Sequence, residues 1–493
     1  MKAESNIPSP YVFPGQYIAG SWRPGRHGNV IKDANPFDGK VLLEVVGADR
    51  TDLDEAYQTA KTAQVAWEHT LPGQKAAILR NVARIMRERK DEIVSWLIKE
   101  VGSTIIKATI EADMTVAGVE EAAAYPYRVE GKIVPCDDEG TETRIYRRPI
   151  GVIGVISPWN FPFYLSNRSV VTALAVGNAV VLKPSQTSMV TGGLLLARIY
   201  EEAGLPPGVL NVIVGSSSEI GDAFVTNPIA GFISFTGSTS VGRHVAQLCK
   251  TGKYIKGIAL ELGGSSPMVV LDDADIDMAV GATILGRFLH QGMICMSTNR
   301  VIVDSKVYDQ FMKAFVPRVK ALKYGDPNEP GCLIGPMVNQ DQFDLVIDQI
   351  KLARKEGATE VLGGEPVGMV IPPHIFTDVT TDMKIAQQEV FGPVITVFKV
   401  NGDEEALRVC NDTDFGLSSS VFTQNEARGV SFARRVEAGM THINDMTVCD
   451  YPNTMFGGEK NSGIGRFGGE WIISEFTRDH LISVKRTKKQ YPF

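Results

Sequence analysis

The chain has 493 residues, of which 44% are hydrophobic and 22% are charged, a composition typical of a folded globular protein rather than a disordered one. At ~150 residues per domain, this length corresponds to about three domain-sized units. The formal net charge of −7 argues against a surface that binds the phosphate backbone of nucleic acids. The six cysteines form no CxxC pair and have no histidine at ligand spacing, so the sequence predicts neither a metal site nor a disulfide framework.

Targeting signals are not apparent in the sequence. The first eight residues contain no apolar run, so we expect no secretory signal peptide. The most apolar stretch, 150–165, is interrupted by Pro158, Asn160 and Pro162, and it falls short of the ~20 residues that a membrane span needs. Unpaired cysteines suit a reducing compartment. We therefore expect a cytoplasmic protein that does not contact a membrane.

The first predicted elements are helices. Thr51 can cap a helix together with Asp54, three residues later. Pro72 stands where a second helix can begin. A third helix is predicted over 92–100, and Gly102 ends it.

The hydrophobic period changes after these helices. Two strands over 128–135 and 141–146 are predicted to form a hairpin. From 150 to 264, and again from 268 to 441, short hydrophobic runs alternate with helical segments. This alternation is typical of parallel sheets that are covered by helices on both faces. With a final strand predicted over 481–493, the sequence predicts an α/β fold of two Rossmann-like lobes and a small β element.

Three glycine-rich segments are candidates for phosphate binding. The segment 463–468 matches G-x-G-x-x-G, but no strand leads into it and too few residues follow for a βαβ unit. We interpret it as a loop. The segments 214–221 and 235–242 each follow a β-rich run and open a helix, where backbone amides can bind phosphate. Ordinary strand-to-helix turns have the same pattern, so both interpretations stay open for these two.

Three further residues have side chains that are suited to catalysis. Asn160 lies in a turn just past a strand end, where α/β sheets bind ligands. Glu261 ends an apolar strand, and a buried carboxylate there needs a partner or a task. Cys295 precedes the strand 301–303, although most cysteines are inert small hydrophobes. Each residue therefore has an ordinary structural interpretation beside a functional one.

Seven motifs, in this order over nearly the whole chain, resemble those of the aldehyde dehydrogenase superfamily, of the non-phosphorylating, NAD(P)-dependent kind. One alone is modest evidence, whereas a collinear set is highly specific. The motifs are Pro158–Pro162, Lys183-Pro-Ser, Phe235-Thr-Gly-Ser, Glu261-Leu-Gly-Gly, Gly292–Arg300, Glu389–Pro393 and Phe456–Lys460.

The resemblance implies that an aldehyde is oxidised to its carboxylic acid. Cys295 would attack the carbonyl carbon and form a thiohemiacetal, whose oxyanion Asn160 and the Cys295 backbone N–H would hold. Hydride transfer to the nicotinamide would leave a thioester. Glu261 would activate the water that hydrolyses it.

The resemblance also implies the cofactor contacts. Relatives that strictly prefer NAD often carry Glu at the position of Gln186, where it would repel a 2′-phosphate. We therefore expect NAD to serve as cofactor and NADP to be used appreciably. The residues expected to bind the cofactor are Ile156, Trp159, Lys183, Ser185, Gln186, Gly221, Gly237, Ser238, Leu262, Gln342, Glu389 and Phe391.

The substrate is indicated by three segments, Phe163–Ser169, His442–Asp445 and Gly465–Gly469, which resemble the branch that oxidises benzaldehyde, vanillin and salicylaldehyde. We expect an aromatic aldehyde. Met293 stands where many relatives have Gln, and Arg168 is either a substrate contact or part of a surface ion pair. The residues expected to form the substrate pocket are Leu165, Arg168, Met293, Met296, Met446, Val448 and Tyr451.

Three alternatives to this interpretation exist. An aliphatic aldehyde or a semialdehyde could be the substrate. A CoA-acylating enzyme would release the thioester to CoA, but that branch generally lacks a base at the position of Glu261. A non-catalytic binding protein on the same fold is disfavoured by the intact set of Cys295, Glu261 and Asn160.

The resemblance further implies how the chain divides. Segments 1–125 and 148–262 would form the NAD(P)-binding domain, and 263–475 the catalytic domain. Segments 126–147 and 476–493 would form an oligomerisation element, because a two-stranded hairpin and a lone strand are marginal alone and expose their edges. We therefore expect a homodimer or a tetramer built from two dimers.

Overall fold

The computed structural model describes residues 9–493. The expectation about a signal peptide concerns the first eight residues and lies outside the described part. Within residues 9–493, no helix combines the length and the hydropathy that crossing a membrane requires.

Four short strands, which the sequence did not predict, precede four helices. The first helix is capped by Asp49 rather than Thr51, because the side chain of Asp49 accepts the backbone N–H of Asp52 and that of Asp52 accepts the N–H of Asp49. The second helix begins at Pro72, as predicted. These elements are β1 (Gln16–Ile18), β2 (Ser21–Arg23), β3 (Val30–Ala34), β4 (Val41–Val46), α1 (Arg50–Glu68), α2 (Pro72–Glu88), α3 (Lys90–Val101) and α4 (Ile105–Ala122).

Strands and helices alternate through the middle of the chain, as the hydrophobic runs predict. The elements are β5 (Lys132–Val134), β6 (Thr141–Pro149), β7 (Val152–Ile156), α5 (Pro162–Ala175), β8 (Ala179–Lys183), α6 (Leu195–Glu202), β9 (Leu210–Val212), α7 (Asp222–Thr226), β10 (Ala230–Thr236), α8 (Thr239–Thr251) and β11 (Gly257–Glu261).

The second alternating series follows. Its elements are β12 (Ser266–Val270), α9 (Ile276–Phe288), β13 (Thr298–Asp304), α10 (Tyr308–Lys320), α11 (Gln340–Glu356), β14 (Thr359–Leu362), β15 (His374–Thr377), α12 (Lys384–Gln387), β16 (Val394–Val400), α13 (Gly402–Asn411), β17 (Phe415–Gly416), β18 (Ser418–Phe422), α14 (Glu426–Ala433), β19 (Met440–Ile443), β20 (Glu459–Lys460), β21 (Gly463–Ile464), α15 (Gly469–Glu475) and β22 (Thr477–Lys485).

Two large sheets organise the fold. The first has the order β2-β1-β9-β8-β7-β10-β11-β21, and its strands β9, β8, β7, β10 and β11 run parallel. The second has the order β14-β15-β16-β13-β12-β18-β19, with an antiparallel edge strand at β14. The inner strands are almost wholly buried because helices cover both faces. The predicted α/β fold class is confirmed.

The glycine segment 463–468 joins the end of the chain to the first sheet. Its two-residue strand β21 pairs antiparallel with the end of β11, so that Gly463 lies opposite Glu261. A Cβ atom at Gly463 would lie 2.2 Å from the carbonyl oxygen of Leu260, which explains the glycine. The glycine therefore allows the backbone of β21 to lie close to that of β11, and the segment is not a dinucleotide fingerprint.

A third sheet has the order β22-β6-β5. The predicted hairpin is present, although β5 is shorter than expected, and β22 pairs with β6 over nine residues. The final strand ends at Lys485, so the prediction that it continues to residue 493 is wrong. This small sheet exposes apolar side chains to solvent, among them those of Ile133, Leu481 and Ile482.

Candidate active site

Asn160 lies in the turn between β7 and α5 and is 4% exposed. Its side-chain amide donates a hydrogen bond of 3.0 Å to the backbone carbonyl of Met293. Its own backbone carbonyl accepts the ammonium of Lys107 at 2.7 Å. The turn is therefore fixed on two sides, and the Asn160 amide points to the segment that carries Cys295.

Cys295 follows a strained stretch of backbone after α9. His290, Gln291 and Gly292 have φ values of 51°, 56° and 74°, in the left-handed region that non-glycine residues rarely adopt. The Gln291 amide holds this stretch by donating to the carbonyls of Gly102 and Pro336 at 3.1 and 2.8 Å. The chain then turns and presents the half-buried Cys295 thiol just before β13.

Glu261 is the last residue of β11 and is 2% exposed. Within the described residues, neither carboxylate oxygen has a hydrogen-bond partner. Burial raises the pKa of this carboxyl to about 8, the charge of Arg168 opposes the rise, and Asp450 adds to it. A carboxyl with such a pKa can both take up and release a proton near neutral pH.

The Cys295 thiol is electrostatically disfavoured as an anion. Burial raises its pKa to about 12, and the carboxylates of Glu261 and Glu389 add to the rise, whereas Arg168 lowers it. The thiol is therefore protonated in the resting protein. A nucleophilic role therefore requires that this proton leave the thiol before or during attack.

Asn160 and Cys295 both line a cavity of about 510 Å³. Its walls are mainly aliphatic and aromatic, and among the described residues it has no lysine or arginine in its lining. Its acidic side chains are Asp113, Asp445 and Asp450. Five of the predicted pocket residues line it, namely Leu165, Met296, Met446, Val448 and Tyr451.

The structure places Arg168 and Met293 outside this lining, which corrects their prediction. Arg168 is buried, and its guanidinium lies 4.4 and 4.5 Å from the ring centres of Phe456 and Phe467. It pairs with Asp450 at 3.6 Å, so the ion pair is internal rather than on the surface. The side chain of Met293 is fully buried, and its backbone carbonyl accepts the Asn160 amide.

Lys183 ends β8 and is 5% exposed. Burial lowers the pKa of its ammonium to about 8, and no hydrogen bond or ion pair with another described side chain offsets this burial. Ser185 and Gln186 follow in a half-buried turn, where the Ser185 hydroxyl accepts the N–H of Thr187 at 3.3 Å. The unpartnered ammonium at a strand end fits a ligand rich in hydroxyl groups.

The turn from β10 to α8 contains Gly237 and Ser238. The Gly237 N–H donates to the backbone carbonyl of Glu261 at 3.0 Å, which ties this turn to the end of β11. Ser238 is the N-cap residue of α8, and its side chain accepts none of the helix's N–H groups, so the first amides of the helix are available. Gly221 lies in a separate helical turn after β9, and a Cβ there would meet only an ordinary contact.

Glu389 and Phe391 lie between α12 and β16, in the part of the chain that forms the second large sheet. A carboxylate oxygen of Glu389 accepts the N–H of Gly264 at 2.9 Å, and burial raises its pKa to about 7. Phe391 meets Trp159 edge to face at 5.5 Å, and Gln342 donates to the Phe391 carbonyl at 2.9 Å. The remaining predicted cofactor residues, Ile156 and Leu262, end β7 and follow β11.

These groups suit a dinucleotide, because they include a buried cation without a partner, the open N-terminus of a 13-residue helix, a buried carboxylate at Glu389 and an aromatic pair at Trp159 and Phe391. Within residues 9–493, no cluster of three or more His, Cys, Asp or Glu side chains is arranged to hold a metal ion.

Several residues of the site have no signal in the sequence. Lys107 and Glu111 contact the Asn160 turn and the start of α5, and Asp450 pairs with Arg168. Oppositely charged residues four apart on a helix normally mark an exposed face. Lys107 and Glu111 are buried because α4 packs against the Asn160 turn, which the sequence pattern does not reveal.

The chain matches the model of the aldehyde dehydrogenase family over residues 22–482. Vanillin dehydrogenase of Corynebacterium glutamicum is 50% identical over 472 residues, which cover 95% of this chain and 97% of that protein. A crystal structure of a NAD-dependent benzaldehyde dehydrogenase from Corynebacterium glutamicum is 46% identical, with a TM-score of 0.91 and coverage of 98% and 99%. That of a salicylaldehyde dehydrogenase from Pseudomonas putida G7 complexed with salicylaldehyde is 36% identical, with a TM-score of 0.95 and coverage of 98% and 100%.

This chain therefore belongs to the aldehyde dehydrogenase family, and the resemblance drawn from its seven motifs is confirmed.

Proposed function

We propose that this protein oxidises aromatic aldehydes to carboxylic acids with NAD. The observation that carries the proposal is the largely apolar cavity of about 510 Å³ that Cys295 and Asn160 line. Contact with such walls removes the apolar surface of a neutral benzene ring from water, which favours binding. The names of the similar proteins, which act on vanillin, benzaldehyde and salicylaldehyde, point to the same substrates.

Cys295 is the nucleophile of the proposed reaction. Its sulfur forms a bond to the carbonyl carbon as the carbon–oxygen double bond opens, and the thiol proton is released to water, since the thiol is protonated at rest. The side-chain amide of Asn160 and the Cys295 N–H donate to the oxygen on which negative charge develops. The nicotinamide, when bound, supplies the acceptor for the hydride that leaves the carbon.

Glu261 is the base for the second half of the reaction. The carboxylate takes a proton from water, the hydroxide oxygen bonds to the thioester carbon, and the carbon–sulfur bond breaks. Burial without a hydrogen-bond partner holds the pKa of Glu261 near the value that a base at neutral pH needs. A base at this position favours release to water over release to CoA.

Lys183, Gln186 and Glu389 are the proposed partners of the cofactor's ribose hydroxyls, with Gly237 and Ser238 near the diphosphate and Phe391 near the nicotinamide. The neutral Gln186 side chain places no charge against a 2′-phosphate, so NADP is also accepted. The unpartnered Lys183 ammonium supports this assignment.

The proposed domains are 1–125 with 148–262 for the cofactor and 263–475 for catalysis. Segments 126–147 and 476–493 are the proposed contact between subunits of a homodimer or a dimer-built tetramer, because the sheet they form exposes apolar side chains. Light scattering that finds only a monomer would contradict this. Six free thiols support a cytoplasmic location.

The experiment that tests the substrate class compares kcat/KM for benzaldehyde, vanillin and salicylaldehyde with the values for straight-chain aldehydes of two to six carbons. The aromatic set is expected to be favoured, because a rigid ring buries apolar surface against these walls without the loss of rotamer freedom that an alkyl chain suffers. Consistently higher values for the aliphatic set would contradict the proposal. A requirement for CoA would show the acylating alternative instead.

A further inference from the structure

A buried ion pair lies beneath the turn that carries Asn160. Lys107 and Glu111 stand one turn apart on α4, and both side chains are 0% exposed. Burial lowers the pKa of Lys107 and raises that of Glu111, while each charge opposes the shift of the other. Taking two charges out of water is costly, so this pair persists because further contacts offset the cost.

Glu111 supplies the N-terminal cap of α5. The N-cap residue, Phe161, offers no side-chain hydrogen bond. One carboxylate oxygen of Glu111 instead accepts the backbone N–H groups of Phe163 and Tyr164 at 2.9 and 3.2 Å. A negative charge at these otherwise unpaired donors is favourable. The first turn of α5 is thereby fixed to α4.

Lys107 fixes the other end of the same short segment. Its ammonium donates to the backbone carbonyl of Asn160 at 2.7 Å and lies 4.2 Å from the ring centre of Phe161. Between them, Lys107 and Glu111 therefore hold both ends of the segment 160–164. Asn160, Phe161 and Tyr164 all line the cavity, whereas Lys107 and Glu111 are not part of its lining.

We propose that the Lys107–Glu111 pair is a positioning device that aims the side-chain amide of Asn160 at the oxygen of the reacting aldehyde. The inference rests on the proposed function, since it assigns Asn160 to the oxyanion. Donors of this kind act only when they are held in place, and a displacement of about 1 Å can cost roughly 10² in rate. Neither residue of the pair touches the reacting atoms.

The test replaces the pair by neutral side chains of similar size, Lys107→Met with Glu111→Gln, which leaves an amide oxygen for the two N–H groups of α5. We expect kcat with benzaldehyde to fall about tenfold, with an unchanged Kd for NAD. In an Asn160→Ala background, the same replacement should change kcat less than about twofold, because the group that it positions is gone. The control, Arg84→Met with Glu88→Gln, removes an exposed pair of the same spacing and should leave kcat unchanged.

An unchanged kcat in the folded variant would overturn the proposal, as would equal losses in both backgrounds, which would mean a general structural role.

Amide hydrogen exchange gives a readout that needs no activity: the segment 161–165 should exchange about tenfold faster in the variant, while the exchange rates of the strands in both sheets should not change. Unchanged exchange would also overturn the proposal. If the double variant does not fold, Lys107→Met alone is measured with the same criteria, because Glu111 then keeps its two N–H partners. A wild-type protein that oxidises no aldehyde would instead refute the proposed function, and the exchange experiment would still decide the positioning.

Discussion

The side-chain amide of Asn160 donates to the backbone carbonyl of Met293 at 3.0 Å, two residues before Cys295. A primary amide has two N–H donors, so this bond anchors the group while the second N–H stays free. Both Asn160 and Cys295 line the same cavity. The anchor thus ties the donor of the proposed oxyanion site to the segment that carries the nucleophile.

Replacing Asn160 tests this arrangement. Asn160→Ala should lower kcat/KM by about 10² to 10³, the usual loss when one oxyanion donor is removed. Asn160→Asp should be at least as impaired, because a carboxylate would repel the developing negative charge. Titration of each variant with NAD should give an unchanged Kd. An Asn160→Ala enzyme within about threefold of the wild type would show that the amide does not serve the transition state.

Cys295→Ala should abolish aldehyde oxidation and keep cofactor binding. Without the thiol, no covalent adduct forms, so no hydride donor exists at the carbonyl carbon. The rate of NADH formation and the Kd for NAD measure the two effects. Cys136→Ala removes an exposed thiol in the loop between β5 and β6, outside the cavity, and serves as the control with full activity. Substantial turnover by Cys295→Ala would exclude Cys295 as the nucleophile.

The pH dependence of kcat should report the ionisation of Glu261. The base works only when ionised, and its pKa lies at about 8, so kcat should rise as the pH increases through this value where hydrolysis limits turnover. The positive charge of Arg168 lowers that pKa, hence Arg168→Met should move the midpoint to higher pH. Arg168→Lys keeps the charge and should move it much less. A midpoint that Arg168→Met leaves unchanged would show that the charge of Arg168 does not influence the pKa of Glu261.

Gln186→Glu should shift the cofactor preference to NAD. The added carboxylate would repel the 2′-phosphate of NADP, with about tenfold lower kcat/KM for each 1.4 kcal/mol of repulsion, and NAD would be little affected. Gln74→Glu adds the same charge on the exposed side of α2 as a control. An unchanged ratio of NADP to NAD activity would show that residue 186 does not face the 2′ position.

The alternation of buried strands with helices could be predicted from the sequence, and the resemblance of its motifs indicated the three proposed catalytic residues. Strands buried on both faces are continuous hydrophobic runs, as in Val152–Ile156, and such runs are visible without tertiary information. The strands β1 and β2, at one end of the first sheet, have only three residues each, too few to show a period. They form because β9 offers β1 a partner and β1 in turn pairs with β2.

The cap of α1 and the placement of Arg168 show a different limit. Asp49 and Thr51 are both good caps, and only backbone geometry selects Asp49. Arg168 lies on α5, all of whose residues are buried, so its charge is matched inside the protein by Asp450, which is 282 positions away in sequence. The burial of α5 depends on how both lobes pack against it, and no local pattern encodes that.

Trapping the acyl-enzyme tests the central claim most directly. Glu261→Gln protein mixed with NAD and benzaldehyde should form about one NADH per active site in a burst and then turn over slowly, because hydrolysis lacks its base. Mass spectrometry should then find one benzoyl group on the peptide that contains Cys295. Loss of burst and steady state in equal proportion, or a protein that carries no acyl group on Cys295 after the burst, would contradict the account.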